Sequence, residues 1–518
     1  MRSLPWARIA MVVGWVLIAL WPGSRAGGVD LAAEFRSARD SIRGDAVLRH
    51  IEVLADDTFE GREAGKRGGR AAAGYLVEEF RKRGLAPAGT RGYFQEFGAG
   101  YRNLLGAIEG SDPRLKDEWI LIGAHYDHVG YGNAQNSYGP VGYIHNGADD
   151  NASGTAGLLE LVGAFQQLGT PPRRSLLLVL WDGEEKGLLG SKHWLVQPTL
   201  PVEQIRLMAN MDMIGRLSRN RIEAYGSRTL PGLRGLVSRH NRDTRLTIDY
   251  TWEMADNSDH FPFYERSVPV LMLHTGLHDD YHRPSDDVER IDARGMQRVL
   301  RVLFGVIYEL AQADTIGGFR AAARSEAARG PPRVASARTV RSRLGVRWAP
   351  EQSATGGVLL SGVRPGSAAE RAGLRAGDRL LEVAGVPIEG YAHLLALVLA
   401  AESPVELLIE RPLAEQPLRL SVELDGAPVR VGIVWRVDAA EPEAVVVTEV
   451  FAGSAADQAG IRPGDLIYEV SGQRFESSDQ FRALLEGSGP WELLVERAGI
   501  LEPRLVAPPL IPMAARGQ

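Results

Sequence analysis

Cysteine is missing from all 518 residues. Its absence excludes disulfides and thiolate ligands, so any metal this chain binds must be held by histidine and carboxylate. Positive charge is not in excess either. The formal net charge is −6 and the pI about 6.1, and no nucleic-acid partner is expected, since that would favour a basic face or tract. Long apolar runs are scarce. The run Ile9–Trp21 is short for a membrane span; Arg2 and Arg8 precede or open it, and Pro22-Gly23 and Ser24-Arg25-Ala26 follow. This is the layout of a secretory signal peptide over residues 1–26, with cleavage after Ala26. The alternative is a retained anchor, in which case the chain stays at a membrane. No cysteine follows the run, so a lipid anchor is not expected, and an exported chain without disulfides suits a bacterial cell envelope, periplasmic or secreted.

What is present is ordinary for globular protein, with 44% hydrophobic and 24% charged residues. The length exceeds one core, so two to four domains are expected. Over residues 27–313 helical and strand patterns alternate. Asp45–Ala55, Ala71–Arg83, Gly154–Leu168, Gly187–Val196, Leu233–His240 and Ala293–Ala311 have helical apolar spacing. Arg102–Ile108, Glu118–Ala124, Ser175–Trp181, Ile205–Met211, Arg221–Tyr225 and Val268–Leu273 read as strands. Such alternation predicts an α/β domain with a mostly parallel central sheet covered by helices. Its ligands should gather at the carboxyl ends of the strands.

Chemistry-bearing residues fall at those ends. Asp182-Gly183-Glu184-Glu185 follows the strand Ser175–Trp181 and puts two adjacent carboxylates at a strand end, where something cationic should stand between them. His125-Tyr126-Asp127 follows Glu118–Ala124, Asp212 ends Ile205–Met211 among the apolar Met211, Met213 and Ile214, and Tyr281-His282 lies beyond Val268–Leu273. Asp149-Asp150-Asn151-Ala152-Ser153-Gly154 stands before a helix. Each motif alone is weak; His128, His145, His260, His274 and His278 show how many spare histidines the chain has. Together, His125, the pair Asp149-Asp150, the pair Glu184-Glu185, Asp212 and His282 supply five ligands for two divalent metals, which act about 3.5–4 Å apart in such centres, and one spare base. A carboxylate left free would act as the base, and Asp127 is expected to hydrogen-bond the other ring nitrogen of His125.

The series His125-x-Asp127, Asp150-x-x-Ser153-Gly154, Glu184-Glu185, Asp212 and His282 closely resembles the di-zinc aminopeptidases, a family that includes glutamate carboxypeptidase, glutaminyl cyclase and the non-catalytic transferrin receptor. The resemblance covers about Leu48 to Ala311. It implies the zinc exopeptidase fold, two Zn2+ ions, peptide substrates with a free N-terminus and an aminopeptidase activity. By that resemblance Asp150 is the bridging carboxylate, His125 and Asp212 complete one zinc, and Glu185 and His282 complete the other. Glu184 is the general base acting on a water between the metals, and Tyr281 donates to the tetrahedral intermediate. The family spacing selects Asp150 and leaves Asp149 a solvated neighbour. The excursion from His128 to Asn146 departs from the pattern and is expected to form a wall of the substrate cleft. A carboxypeptidase or amidohydrolase on the same metals, or an inert peptide-binding scaffold, stays open, and cobalt or manganese could replace zinc.

Asp314–Val340, rich in Ala, Arg, Ser, Gly and Pro, reads as a linker over residues 314–340. Beyond it the chain repeats. Gly366-Ser367-Ala368-Ala369, Ala372-Gly373-Leu374 and Gly377-Asp378 recur 87 residues later as Gly453-Ser454-Ala455-Ala456, Ala459-Gly460-Ile461 and Gly464-Asp465. The two copies, 341–426 and 427–508, resemble PDZ domains of the bacterial protease type. Leu344-Gly345-Val346 and Val431-Gly432-Ile433 stand where that family receives a peptide's C-terminal carboxylate; packing as structural modules is the alternative for either copy.

Overall fold

A computed structural model describes residues 25–26, 29–98, 100–332, 342–348, 356–487, 489–509 and 511. The expected signal peptide therefore lies almost wholly outside the described residues. Among the described residues no helix is long and apolar enough to cross a membrane. The chain divides into a first compact unit reaching Pro331 and a second beginning at Pro332.

The first unit is built on a nine-stranded mixed sheet. Its strands are β1 Ala86–Pro87, β2 Phe94–Phe97, β3 Tyr101–Ile108, β4 Trp119–His125, β5 Ser175–Trp181, β6 Ile205–Met211, β7 Arg221–Tyr225, β8 Thr247–Tyr250 and β9 Val270–His274. The order is β8-β7-β9-β6-β4-β5-β3-β1, with β2 also paired to β3. The four central strands β9, β6, β4 and β5 run parallel, as the alternation of helices and strands predicts. Antiparallel pairings flank them at β9–β7, β5–β3 and β3–β1.

Strand β5 shows why the centre reads as an unbroken apolar run: all seven of its residues are buried. Successive side chains point to opposite faces. Leu176, Leu178 and Leu180 enter one core with the helices Gly44–Leu54, Arg67–Lys82, Gly154–Gln166 and Ala293–Gln312. Leu177, Val179 and Trp181 enter the other, with Trp194 and Phe263 of the helices Leu189–Val196 and His260–Glu265. The long helix Ala293–Gln312 is started by Asp292, whose carboxylate accepts the Gly295 N–H at 2.9 Å.

Parallel register aligns the strand ends that matter. His125 of β4 lies opposite Trp181 of β5, and Gly123 opposite Asn210 of β6. Residues just past these positions therefore share one rim of the sheet.

The stretch read as a linker contains the helix Ala322–Arg329. Glu326 pairs with Arg228 and Arg320, and Ala323 is buried, so the first unit continues to Pro331. Alanine, arginine and glutamate are good helix formers, and a composition poor in large apolar groups conceals a helix held by ion pairs.

In the second unit the 87-residue repeat becomes two similar β-rich folds. One has a sheet from Val346–Trp348 to Leu418–Val422, the other a five-stranded sheet from Ile433–Val437 to Ile500–Val506. Asp378 and Asp465 are buried and take equivalent partners. Each accepts a backbone N–H, from Arg375 or Arg462, and a two-pronged guanidinium, from Arg411 or Arg497. Gly345 and Gly432 both have φ near +85°, at +83° and +89°, and a Cβ on either would strike Ser367 or Ser454.

Candidate metal centre

Three strand ends deliver the first imidazole and the carboxylates of Glu184, Glu185 and Asp212, and the turn before the helix Gly154–Gln166 delivers Asp150. His125 closes β4, and its carbonyl accepts the Thr155 hydroxyl at 2.9 Å. After β5 the chain makes a single turn, Glu184–Lys186, between Gly183 at φ +75° and Gly187 at φ +97°. Both glycines adopt the left-handed conformation that compresses this turn and brings Glu184 and Glu185 back over the rim. Asp212 follows β6 directly. His282 comes from the loop after β9, and Tyr281 stacks on it with ring centres 3.9 Å apart.

Asp150 stands at the centre. Its Oδ1 lies 3.4 Å from His125 Nε2, which is also 3.3 Å from Asp212 Oδ1. Its Oδ2 lies 3.0 Å from His282 Nε2, which is 3.2 Å from Glu185 Oε2. The five residues expected from the sequence thus form two donor sets that share Asp150. Each set has one potential ligand atom per residue, all within 4.8 Å of one another: His125, Asp150 and Asp212 in one, His128, Asp150, Glu185 and His282 in the other. His128, passed over in the sequence as one spare histidine among several, joins the second set. Glu184 belongs to neither.

Asp149 is fully buried, not the solvated neighbour expected. Its Oδ1 accepts the Gly215 N–H at 2.6 Å and its Oδ2 lies 3.2 Å from His278 Nε2. Buried Asp286 accepts the N–H groups of both Asp149 and Asp150, at 3.0 Å each by its Oδ2, which turns Asp150 inward and Asp149 away. Asp127 also differs. The His125 Nδ1 lies 3.2 Å from the Asp127 carbonyl oxygen and 3.9 Å from its carboxylate. The Asp127 carboxylate instead accepts the Glu184 N–H at 3.1 Å.

Proton affinities express the crowding of charge. Burial would lower His282, but hydrogen bonds to Asp150 and Glu185 overrule it and push the imidazole up to about 11. Burial likewise opposes protonation of His125, yet Glu184, Asp212 and Asp150 hold it well above the ordinary value. Burial would raise Glu185, and the hydrogen bonds from His128 and His282 keep it below the usual carboxylate range. Glu184 is raised well above that range by burial, with Glu185 and Asp212 adding repulsion. The Tyr281 hydroxyl is raised by burial and by Asp150 and Glu185. The carboxylates around His125 and His282 demand positive charge. Divalent cations on the same oxygen and nitrogen donors would supply it, and the donor types suit zinc.

Two further groups were not legible in the sequence. Arg62 is fully buried and donates to the carbonyls of Tyr126, Leu54, Asn146 and Gly147. Burial lowers it to about 10, against the pull of Asp150, Asp286, Asp127 and Glu185, so it is a fixed cation behind the cluster. Asp259 is also buried, and burial raises it to about 7. It is close enough to add to the repulsion on Glu184. The excursion from His128 to Asn146, expected to form a cleft wall, meets the His282 loop. The Tyr138 N–H donates to the His282 carbonyl at 3.1 Å and Arg283 donates to the Tyr138 carbonyl at 2.6 Å, while the Tyr131, Tyr138 and Tyr143 rings stay exposed.

Residues 103–307 match the model of peptidase family M28, and residues 360–411 and 446–497 each match that of a PDZ domain. The chain is 27% identical over 202 residues to the protein named aminopeptidase YwaD of Bacillus subtilis (strain 168), covering 37% of this chain and 40% of that one. It is 26% identical over 246 residues to leupeptin-inactivating enzyme 1 of Streptomyces exfoliatus, covering 47% and 51%. It therefore spans about half or less of the length of these curated relatives. Among solved structures, the Legionella pneumophila LapA aminopeptidase is similar with a TM-score of 0.46 at 20% identity, covering 57% of this chain and 78% of that one.

Proposed function

Because residues 103–307 match the model of peptidase family M28 and two matches to a PDZ domain follow them, we propose that the chain is an exported, zinc-dependent aminopeptidase that hydrolyses the N-terminal peptide bond of peptides. The observation that carries this reading is the division of Asp150. Its two oxygens face two donor sets, and Glu184 stands beside them in neither. His125, Asp150 and Asp212 would hold one zinc, and Asp150, Glu185 and His282 the other. When bound, such a pair supplies Lewis acidity toward a peptide carbonyl and makes water easier to deprotonate. Glu184 takes the proton of the attacking water at its carboxylate and returns it to the leaving amine. The bond from its N–H to buried Asp127 fixes the backbone from which that carboxylate reaches the cleft. Tyr281, stacked on His282, presents its hydroxyl to the developing oxyanion. A raised tyrosine keeps its proton at neutral pH, as a donor must.

Export rests on the charge and apolar pattern of residues 1–26. The PDZ domains would take peptide C-termini at Leu344-Gly345-Val346 and Val431-Gly432-Ile433, where each strained glycine shapes the loop. Glu184→Gln keeps the shape of the side chain and removes the base. Turnover should fall by about 10²–10⁴-fold while metal content, read by elemental analysis, stays that of the parent. Turnover within tenfold of the parent at equal metal content would remove Glu184 from this role.

A further inference from the structure

We infer that His128 is a fourth protein ligand in the second donor set, so that the two metal positions differ in kind: four protein donors in one, three in the other. The inference rests on the metal-centre reading above and concerns a residue outside its five ligands. His128 Nδ1 lies 2.9 Å from Glu185 Oε1 and 3.7 Å from Asp150 Oδ2, and the side chain is wholly buried. The His282 imidazole reaches the same two carboxylates through Nε2. The His128 and His282 rings stand nearly edge to face, with centres 5.5 Å apart at 80°. Two imidazole nitrogens therefore converge on one pair of carboxylates, and the four ligand atoms lie within 4.8 Å of one another.

The surroundings hold His128 in this orientation. Its N–H donates to the Arg62 carbonyl at 3.2 Å, and residue 128 forms a bridge with Glu63. Gly147 clears the space for the ring: a Cβ there would come within 2.5 Å of His128 Cδ2, on a backbone at φ +58°. Two imidazoles and two carboxylates make a complete tetrahedral donor set for zinc, the pattern of a closed site, whereas three protein donors leave a position open. The position at His125, Asp150 and Asp212 is then the one with room for a substrate or solvent oxygen, and the position at His128 is the tighter of the two.

The competing role for His128 is that of a simple hydrogen-bond donor to Glu185. His128→Asn separates the two, because its amide N–H sits where the ring Nδ1 sits and can still donate, but an amide is a poor zinc ligand. The full chain is stripped with chelator and titrated with Zn2+ against a chromophoric competitor. Two equivalents of unequal affinity are expected for the parent. In His128→Asn the tighter equivalent should weaken about 100-fold or more and the weaker one by less than threefold. Both equivalents within threefold of the parent would overturn the inference and leave the metal centre standing; no binding by the parent would overturn the metal centre itself. A measurement on the parent alone guards against misfolding of the variant. The Co2+-loaded chain should show three exchangeable, paramagnetically shifted imidazole N–H resonances, for His125, His128 and His282, and two would exclude His128.

Discussion

Arg62 joins local structure to the metal centre at the scale of one residue. Its guanidinium donates to four carbonyls, and its charge balances Asp150, Asp286, Asp127 and Glu185. A lysine has the charge but not the planar fork. Arg62→Lys leaves at least one of the four buried carbonyls without its donor and should therefore cost about 1–3 kcal/mol, read from the denaturant midpoint of the first unit. A loss under about 1 kcal/mol would show that the four bonds do not act together. Which residues come together in the cluster was largely legible here. His125, Glu184, Glu185 and Asp212 stand where strands end, Asp150 stands before a helix and His282 in a loop, and strand ends are visible as breaks in apolar runs. The environment of each was not legible. Whether Asp149 faces water or the partly exposed His278, and whether His128 turns in or out, depends on Asp286 and Gly147, which are distant in sequence or unremarkable in it.

At the scale of elements, the helices Gly44–Leu54 and Arg67–Lys82 meet through His50. Arg83 donates to its Nε2 at 2.9 Å, and the Tyr75 hydroxyl lies 2.6 Å from its Nδ1. An Nε2 that accepts cannot carry a proton, and burial, then Arg83, lowers His50 from 6.5 to about 4. The unfolded chain binds this proton below about 6.5 and the folded chain only near 4. Stability is therefore whole above 6.5 and falls as pH drops from 6.5 toward 4, by about 1–2 kcal/mol once solvent screening is allowed for. His50→Gln keeps an acceptor for Arg83 and should flatten the unfolding midpoint over that window; an unchanged slope would assign the acid sensitivity elsewhere. Long, apolar elements such as Ser175–Trp181, Ile205–Met211 and Leu233–His240 end where their sequence patterns end. Short edge strands such as Ala86–Pro87, Phe94–Phe97 and Thr247–Tyr250 have too few buried residues to leave a pattern. The helix Leu31–Asp40 hides as a polar lead because only Ala38 in it is fully buried.

At the scale of the whole molecule, the chain joins a unit that matches the peptidase family M28 model to two folds that match PDZ domains. The repeat of 87 residues and the buried Asp378–Arg411 and Asp465–Arg497 pairs show that the second and third folds share one plan. This plan was legible because Gly-Asp turns recur at a fixed interval; the helix Ala322–Arg329 was not, because its stability comes from partners in the first unit. The central claim is a metal-dependent cut beside a free N-terminus. The most direct test is hydrolysis of matched aminoacyl chromogenic substrates, free and N-acetylated, by the chain before chelation, after it, and after zinc is restored. The account predicts cleavage of the free-amine substrates alone, lost with chelator and recovered with zinc; equal cleavage of the acetylated set, or activity that survives complete removal of metal, would contradict it.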